Sequence, residues 1–430
     1  MQNIQLSIEN EECVRAVLAA IITPEMSAEK SDASLDELER LLETAGGEVS
    51  AIVTQSRLKP DTAMYLGKGK IDELAELVKS SGVKLVIFDG ELTPSQIRNI
   101  EDELGGAGVQ VIDRSMLILE IFAEHARTAE GKLQVEIAML RYTAPRLTGH
   151  GNEMSRLGGG GGGGGGARRG SGESKLEIDR RNVKSRIAAL TEELEKLEGN
   201  RYVMRSQREK AGVPNIAIAG YTNAGKSTLL NHLTGAGILA EDKLFATLDP
   251  TTRKLKMEGG REVLFTDTVG FIRNLPHHLV KAFKSTLDEV RYADAVLVIA
   301  DASDPQIEAQ LKVTRGLLSE LGAEKKPVIY ALNKCDRLEG EVFISDLKDY
   351  CTISAKTGEG VDELLNRLTA TLDSSRKTLK FAIPNSEQGK LAILYKTGGI
   401  VETVYGDNCV EITAVVDDKV RGQLSRYIVR

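Results

Sequence analysis

One stretch constrains the fold of this chain more than any other. The apolar run NIAIAG, residues 215–220, leads directly into YTNAGKS and then into an amphipathic TLLNHL segment. Gly220, Gly225, Lys226 and Ser227 match the pattern G-x-x-x-x-G-K-S, which arises by chance in a chain of 430 residues on the order of 1% of the time. A buried strand, a glycine-rich loop and a helix in this order predict an α/β domain.

The loop between that strand and helix is suited to holding phosphate groups. Glycines let the backbone approach phosphate oxygens closely, and consecutive N–H groups then point inward as donors. Lys226 is expected to supply positive charge to the β- and γ-phosphates and Ser227 a hydroxyl to Mg²⁺, while the helix N-terminus adds its dipole. The residues assigned to this phosphate-binding loop are Gly220, Tyr221, Thr222, Asn223, Ala224, Gly225, Lys226 and Ser227.

A second motif, VLFTDTVGF at 263–271, places an acid at the end of an apolar strand. Asp267 in that position can hold Mg²⁺ through water, and the N–H of Gly270 can sense a γ-phosphate. The pattern D-x-x-G is weak by itself because a capping aspartate in a turn gives the same letters. After a phosphate-binding loop it predicts a nucleotide site, to which we assign Asp267, Thr268, Val269 and Gly270.

Two further motifs predict which base is bound. They are NKCD, comprising Asn333, Lys334, Cys335 and Asp336, and SAK, comprising Ser354, Ala355 and Lys356. A carboxylate at Asp336 can accept hydrogen bonds from N1–H and N2–H₂ of guanine, a donor pair that adenine lacks. Lys334 can cover the base with its aliphatic stem, and the Ala355 N–H can donate to guanine O6. The four motifs in this order predict a protein that binds GTP and GDP.

The segment LFATLDPTTR, residues 244–253, lies where a switch loop should lie. Thr247 is the predicted second hydroxyl ligand of Mg²⁺, with Thr251 and Thr252 as alternatives. The nucleotide-contacting residues assigned to this segment are Phe245, Ala246, Thr247, Leu248 and Asp249. The residues assigned to catalysis are Lys226, Thr247, Gly270 and Asn223.

Residues 1–140 are predicted to form a small parallel α/β domain, because apolar runs alternate with helical patterns. CVRAVLAAII (13–22) is the first predicted strand, and SLDELERLLETAG (34–46) is a predicted helix with Ser34 as its N-cap. Three further strand–helix pairs follow. GKGK at 67–70 favours a turn before a helix over a phosphate site, because it lacks the full loop pattern.

Residues 141–174 differ in kind from what precedes them. They contain nine consecutive glycines, Gly158–Gly166, which bury no side chain and lose much backbone entropy on ordering. The expectation is a flexible Gly/Arg-rich loop, either a passive tether or a segment that touches phosphates. The flanking cations that favour the second interpretation are Arg146, Arg156, Arg168, Arg169 and Lys175.

The remaining segments complete the predicted domain plan. Residues 175–212 form a helical arm, in which Val183, Leu190 and Leu197 recur seven apart; a helical hairpin packed on its neighbours is favoured over an extended coiled coil. Residues 213–375 form the nucleotide-binding domain. Residues 376–430 are expected to form a small α+β domain in the order βαββ.

Composition and charge limit the kinds of partner and the cellular compartment that are expected. The net charge of −7 argues against a polycation, yet from Arg141 to Arg186 there are ten Lys or Arg against four Asp or Glu, which predicts a local anionic partner. Four cysteines without metal or redox spacing indicate a reducing compartment. With no apolar run approaching the ~18 residues of a membrane span, a cytoplasmic monomer without a transmembrane segment is expected.

Several motifs together resemble a known family. They are GYTNAGKS at 220–227, FATLDPTTR at 245–253, DTVGF at 267–271, NKCD at 333–336 and SAK at 354–356. They are similar to the translation-factor class of P-loop GTPases, and the Gly/Arg-rich loop and helical arm make the chain resemble the HflX family rather than the related Obg family.

This resemblance implies a Ras-like P-loop G domain, preceded by a small parallel α/β domain and a helical arm and followed by a small α+β domain. It implies Mg²⁺-dependent hydrolysis of GTP to GDP and phosphate, with Ser227 and Thr247 as the Mg²⁺ ligands. It also implies association with the large ribosomal subunit and its rRNA, in splitting or rescuing stalled ribosomes or in ribosome assembly.

Two positions bear on the mechanism. Phe271 stands where Ras-like proteins place a glutamine that orients water, and a phenyl ring cannot do so; slow intrinsic hydrolysis is therefore expected, with the ribosome supplying the missing element. In some related GTPases the loop asparagine that Asn223 resembles helps bind K⁺, which would offset charge in the transition state. The alternative is that Asn223 merely tolerates a tight turn.

Two other functions remain open from the sequence. A switch acting on a non-ribosomal protein or membrane partner would keep the same nucleotide site, and the basic stretch from Arg141 to Arg186 is the feature that separates the two possibilities. An ATP-driven RNA remodeller conflicts with Asp336 unless a second nucleotide site exists.

Overall fold

The structure is a computed structural model that describes residues 14–24, 28–106, 108–148, 170–211, 213–235, 244–245, 248–257, 262–273, 279, 284–338, 340, 344–345, 347, 349–374, 377–397, 399–406, 408–416 and 418–429. The chain divides into two compact units. The first comprises Met1–Leu197, Lys243–Leu248 and Arg273–Lys284, and the second comprises Glu198–Asp242, Asp249–Ile272 and Ser285–Arg430.

The first unit contains a four-stranded parallel sheet in the order β2-β1-β3-β4. Its strands are β1 (Val14–Ile22), β2 (Gly47–Ser56), β3 (Leu85–Phe88) and β4 (Gln110–Asp113). The helices that alternate with them are α1 (Ala28–Thr44), α2 (Lys68–Ser81), α3 (Pro94–Glu103) and α4 (Arg114–His125). This order confirms the small parallel α/β domain predicted from the sequence. Of the turn predicted at 67–70, Gly67 is the extended N-cap of α2, and residues 68–70 already belong to the helix.

Strand β1 is continuously apolar because both of its faces are covered. Residues 16–20 are at most 2% exposed. Val17 packs in a core that also contains Ile71 of α2 and Ile97 of α3. Parallel strands buried on both faces read as unbroken apolar runs rather than as an alternation, which is why the sequence reveals this strand so clearly.

The predicted role of Ser34 as a helix N-cap is wrong. Helix α1 begins at Ala28, so Ser34 lies within the helix. Its hydroxyl donates to Asp89 Oδ2 at 2.6 Å, and Arg114 Nη1 donates to the other oxygen of Asp89 at 2.7 Å. The serine is tolerated in the helix interior because a tertiary carboxylate satisfies its hydroxyl, a partner that local sequence does not reveal.

Two helices follow the sheet: α5 (Ala129–Thr143) and α6 (Gly170–Ala211). The hairpin predicted within residues 175–210 is wrong, because α6 is one continuous helix of 42 residues. Its apolar stripe finds a partner in α5 instead, where Leu133 and Ile137 form a buried cluster with Leu190. The stripe predicts a packing partner correctly but cannot show that the partner precedes the glycine run.

The Gly/Arg-rich loop is shorter than predicted at both ends. Residues 141–143 complete α5, a 3-10 helix covers Ala144–Thr148, and α6 already begins at Gly170. Helical structure therefore occupies both ends of the span assigned to the loop. The glycine run itself, with Arg156, Arg168 and Arg169, lies outside the described residues.

The second unit is built on a six-stranded sheet in the order β10-β9-β8-β5-β7-β6. Its strands are β5 (Asn215–Gly220), β6 (Thr251–Lys256), β7 (Glu262–Asp267), β8 (Ala295–Asp301), β9 (Val328–Asn333) and β10 (Cys351–Thr352). The described helices between them are α7 (Lys226–Thr234), α8 (Lys284–Tyr292) and α9 (Ile307–Glu320), and α10 (Val361–Ser374) follows the last strand. All neighbours are parallel except β6, which runs antiparallel to β7.

This strand order brings the motifs to one edge of the sheet. Strand β5 lies between β7 and β8, and the carboxyl ends of β5, β7, β8 and β9 meet along the same side of the sheet. In open α/β sheets ligands bind outside these carboxyl ends. The Ras-like G domain predicted from the motifs is confirmed.

A small three-stranded antiparallel sheet ends the chain, in the order β11-β13-β12. Its elements are β11 (Lys377–Pro384), α11 (Leu391–Thr397), β12 (Ile400–Tyr405), β13 (Cys409–Val416) and α12 (Asp418–Gln423). Phe381, Leu394 and Ile412 lie in its core and are fully buried. Within the described ranges no helix combines the length and apolarity needed to span a bilayer.

Candidate nucleotide site

The phosphate-binding loop connects β5 to α7 through two glycines whose positions leave no room for a side chain. Gly220 has φ 150° and Gly225 has φ 94°. A Cβ on Gly220 would lie 2.1 Å from the Ile299 carbonyl oxygen, and one on Gly225 would lie 2.1 Å from Asn333 Nδ2. The loop therefore curls tightly against β8 and β9, and its N–H groups lead into the N-terminus of α7.

Lys226, the first residue of α7, folds back over this loop. It is 7% exposed, and its Nζ donates to the carbonyls of Tyr221 at 2.8 Å and Gly220 at 3.2 Å. Burial lowers the pKa of Lys226 to about 8, with the carboxylate of Asp267 acting in the opposite direction. The ammonium group is thus held in place by the backbone before any anion arrives.

The hydroxyl of Ser227 and the carboxylate of Asp267 lie together. Ser227 Oγ donates to Asp267 Oδ2 at 2.6 Å, and Asp267, the last residue of β7, is fully buried. Mg²⁺ prefers hard oxygen ligands and is commonly bound through one or two carboxylates together with phosphate. This pair of oxygens beside the phosphate-binding loop fits that requirement.

The rest of the D-x-x-G motif packs directly on the phosphate-binding loop. Thr268 Oγ1 donates to the Ile218 carbonyl at 2.7 Å. A Cβ on Gly270 would lie 2.8 Å from Thr222 Cγ2 and 3.1 Å from Lys226 Nζ. Only glycine fits at position 270, because its backbone lies against both of these residues.

Phe271 is part of the core and faces away from water. It is 1% exposed, its N–H donates to the Gly220 carbonyl at 3.0 Å, and the Thr222 N–H donates to its carbonyl at 2.8 Å. These two bonds form a short parallel bridge between the motifs. The ring at this position is therefore buried and packed against the phosphate-binding loop through its backbone.

Asn333 joins three motifs through one side-chain amide. Its Nδ2 donates to the Ala224 carbonyl at 2.8 Å, and its Oδ1 accepts from the Ala355 N–H, also at 2.8 Å. The side chain is 2% exposed. The phosphate-binding loop, the NKCD motif and the SAK motif are therefore held in register by a single buried residue.

Asp336 presents its carboxylate at the surface, held by a buried serine. Ser354, fully buried, donates from Oγ to Asp336 Oδ1 at 2.6 Å. This hydrogen bond lowers the pKa of Asp336, so the side chain stays ionised. Lys334 adopts φ 66° and its Nζ lies 2.7 Å from Asp301 Oδ2, which fixes the position of its stem.

The switch segment is described only in part. Ala246 and Thr247 lie outside the described residues, so the assignment of Thr247 to Mg²⁺ stays a prediction. Of the two alternatives, Thr252 shares a hydrogen bond of 3.0 Å with Thr266 across β6 and β7, and Thr251 pairs with Asp267 in the sheet register.

Phe245 lies in the first unit. Its ring packs edge-on against Phe122 of α4, with centroids 4.7 Å apart, and it is 3% exposed with φ 57°. The neighbouring Leu244 N–H donates to Thr44 Oγ1 at 3.2 Å. The ring is therefore buried among residues of the N-terminal domain, and the predicted nucleotide contact of Phe245 stays a prediction.

Sequence reasoning missed two of these features. To predict that Asn333 joins the motifs, one must know how the loop after β5 lies relative to β9. To predict the burial of Phe245, one must know that it packs against a residue 123 positions away in the chain. An aromatic residue within an otherwise polar loop is the one signal that points to an anchor. Among the described residues no group of acidic, His and Cys side chains forms a separate metal site.

Comparison with known proteins identifies the family to which this chain belongs. Three family descriptions match in succession: GTP-binding GTPase N-terminal over residues 32–123, GTP-binding GTPase Middle Region over 125–208, and 50S ribosome-binding GTPase over 215–334. GTPase HflX of Caldanaerobacter subterraneus subsp. tengcongensis is 46% identical over 415 residues, which cover 96% of this chain and 94% of that protein. The chain belongs to the HflX family of GTPases.

A second bacterial HflX protein and an archaeal GTP-binding protein are also similar to this chain. GTPase HflX of Escherichia coli K12 is 41% identical over 374 residues, covering 86% of each chain. A solved GTP-binding protein of Sulfolobus solfataricus in complex with GDP is 26% identical, covering 84% of this chain and 99% of that one, with a TM-score of 0.43. As a member of the HflX family, the chain is a P-loop enzyme that hydrolyses GTP, which confirms the resemblance drawn from the motifs.

Proposed function

We propose that the chain binds GTP and Mg²⁺ around Lys226, hydrolyses the GTP there, and acts on the large ribosomal subunit. The convergence of distant motifs on one set of hydrogen bonds carries the proposal: Asn333 joins the phosphate loop to Ala355, and Ser227 contacts Asp267. The family description of the G domain as a 50S ribosome-binding GTPase supports the choice of partner.

The phosphate chemistry follows from groups that are already in place. The N–H groups at the start of α7 and the ammonium of Lys226 would hold the β- and γ-phosphates. Bound Mg²⁺ would offset charge on those phosphates, with Ser227 and the predicted Thr247 as ligands and Asp267 acting through water. Because Lys226 is buried and fixed by two carbonyls, it can stabilise charge in the transition state without reorganising.

Asp336 would select the base. Its ionised carboxylate, held by Ser354, accepts from guanine N1–H and N2–H₂. The Ala355 N–H, predicted to meet guanine O6, donates to Asn333 in this structure. A base oxygen at that position would share this donor with Asn333.

The source of water positioning is the unusual part of the mechanism. Phe271 is buried, so hydrolysis by the protein alone is expected to be slow and the ribosome to accelerate it. Asn223 adopts φ 59°, which favours the interpretation that it serves the tight turn. A K⁺ role remains a prediction, and equal hydrolysis rates in KCl and NaCl would exclude it.

The basic stretch supports binding to rRNA, but not through every cation. Arg180 and Lys184 are exposed on α6. Arg146, by contrast, stacks over Tyr142 at 3.6 Å and lies 3.8 Å from Asp113. Arg146 therefore acts within the first unit, and the contact with phosphates falls to the exposed helix and to the Gly/Arg-rich loop.

Calorimetry tests the nucleotide site. With Mg²⁺ present, we expect GTP and GDP to bind and ATP to bind at least about a hundredfold more weakly, because adenine cannot form the two hydrogen bonds to a charged group. Equal affinity for ATP would overturn the assignment of Asp336.

Sedimentation with ribosomal particles tests the partner. We expect the protein to pellet with large subunits in a non-hydrolysable GTP analogue and less so in GDP. If the analogue also separates 70S particles into subunits, the work is splitting or rescue; binding to free large subunits alone indicates assembly. Failure to pellet with any ribosomal particle would favour a non-ribosomal partner.

Light scattering and cell fractionation test the proposed cytoplasmic monomer.

A further inference from the structure

Within the described part of the nucleotide site, the hydroxyl of Thr222 has no hydrogen-bond partner. Thr222 is 6% exposed, and its Oγ1 accepts or donates no hydrogen bond among the residues that the structure describes. Three other hydroxyls of the site have partners: Ser227 with Asp267, Thr268 with Ile218, and Ser354 with Asp336. A buried hydroxyl without a partner is costly and calls for an explanation.

The position of Thr222 points to the end of the triphosphate. A Cβ on Gly270 would meet its Cγ2 at 2.8 Å and Lys226 Nζ at 3.1 Å, so both side chains lie against this glycine. In P-loop GTPases the glycine of D-x-x-G and the loop lysine both reach the γ-phosphate. Because threonine is β-branched, the packing of its methyl group against Gly270 also restricts where Oγ1 can point.

Among the described residues, the position that carries a water-orienting glutamine in Ras-like proteins offers no group for the attacking water. Phe271 is turned into the core and pinned by two backbone hydrogen bonds, one of which comes from Thr222 itself. The phosphates, in contrast, already have Lys226 and the N–H groups of the loop as donors. We therefore expect the hydroxyl of Thr222 to hydrogen-bond to the attacking water rather than to a phosphate oxygen.

We propose that Thr222 Oγ1 hydrogen-bonds and orients the water that attacks the γ-phosphate. This inference rests on the proposed nucleotide site. The water oxygen bonds to the γ-phosphorus, the bond to the bridging oxygen breaks, and its electron pair leaves with GDP. One proton of the water stays on the incoming oxygen and the other moves to another oxygen of the released phosphate. Thr222 orients the water and neither gains nor loses a proton.

Single-turnover hydrolysis by three variants tests the proposal. Thr222→Val keeps the shape and removes the hydroxyl, Thr222→Ala removes it without a branched side chain, and Thr222→Ser keeps it. We expect the first two to slow hydrolysis roughly ten- to hundredfold, as removal of a transition-state hydrogen bond does. Thr222→Ser should stay within about threefold of the parent. Affinities for GDP and a non-hydrolysable GTP analogue should be unchanged in all three.

Several outcomes would overturn the role in water positioning. They are a parental rate for Thr222→Val, an equally slow rate for Thr222→Ser, or a selective drop in affinity for the GTP analogue. If Thr222→Val fails to fold, the comparison of Ala with Ser decides. The proposed nucleotide site fails separately, if the parent protein binds no guanine nucleotide at all.

Discussion

At the scale of single residues, the nucleotide site is organised by a few side chains that are fixed before a ligand binds. Lys226 is held by two carbonyls and Asp336 by one serine hydroxyl. Such preorganisation means that the cost of desolvating and orienting the charges is met during folding. The effects of changing these residues are therefore expected in binding and catalysis more than in the fold.

The lowered pKa of Lys226 predicts that GTP binding takes up a proton at alkaline pH. In the free protein Lys226 loses its proton as the pH rises through about 8, whereas bound phosphates favour the charged form and raise its pKa. Affinity for GTP should therefore be greatest below pH 8 and fall as the pH rises above it, by up to roughly tenfold per unit. Calorimetry at pH 9 in buffers of different ionisation enthalpy measures the uptake.

Lys226→Arg is the control for this linkage. A guanidinium stays charged throughout the range, so this variant should bind GTP without proton uptake, whatever its affinity. Uptake that persists in Lys226→Arg would assign the proton to another group.

Replacement of Asp336 by Asn should change the base that is preferred. An amide offers one donor and one acceptor, so it no longer matches the two donors of guanine but does match N1–H and O2 of xanthine. We expect GTP affinity to fall at least about a hundredfold and the affinity for xanthosine triphosphate to rise, as measured by competition. Asp349→Asn, the same charge change at an exposed residue paired with Arg367, should leave both affinities unchanged.

At the scale of elements, the switch segment is anchored by a ring. Phe245→Ala removes the edge-on packing against Phe122, which should release residues 244–245 from the first unit. The Leu244 amide, now bonded to Thr44, should then exchange with solvent much faster. A large-to-small change at a buried phenylalanine costs about 3–5 kcal/mol where the site cannot relax, and release of the segment should limit that cost. Hydrogen exchange followed by mass spectrometry measures the exchange rate of the Leu244 amide.

Phe245→Leu separates anchoring from aromatic geometry. It keeps most of the apolar volume, so exchange at Leu244 should stay close to that of the parent protein. Protection at Leu244 that is unchanged in Phe245→Ala would show that the ring is not the anchor.

The order of strands and helices can be predicted from the sequence because it depends on local patterns. The apolar run of β5 and the acid that ends β7 are visible in a few consecutive letters. What cannot be predicted depends on distant partners. Ser34 looks like a cap because its carboxylate partner is 55 positions away, and the partner of the apolar stripe of α6 is α5, on the other side of the glycine run. The motif predicts that Thr222 belongs to the phosphate-binding loop. It cannot predict that the hydroxyl lacks a partner, because that depends on the residues that surround it in the fold.

At the scale of the whole molecule, an acidic protein carries one basic stretch suited to a polyanion. Changing Arg180 and Lys184, which are exposed one helical turn apart on α6, to Gln should weaken binding to rRNA. The slope of log affinity against log salt should fall by roughly one unit for each phosphate that is no longer neutralised. Filter binding or sedimentation at several salt concentrations measures the slope.

Arg146→Gln is the contrasting variant. Because this side chain stacks on Tyr142 and lies beside Asp113, its removal should lower the free energy of unfolding and leave the salt slope unchanged. Equal effects of all three cations on the slope would mean that Arg146 also reaches the RNA.

The two compact units are interleaved along the chain, since Lys243–Leu248 and Arg273–Lys284 belong with the N-terminal unit although both follow the phosphate-binding loop. No single cut separates such units. A fragment that begins at residue 213 would retain Leu244 and Phe245 but lack the threonine and phenylalanine on which they rest. A change in its rate of GTP hydrolysis would therefore reflect the loss of these contacts as well as the loss of the N-terminal domain. A truncated enzyme is thus an unsuitable control for measuring the effect of the N-terminal domain on hydrolysis.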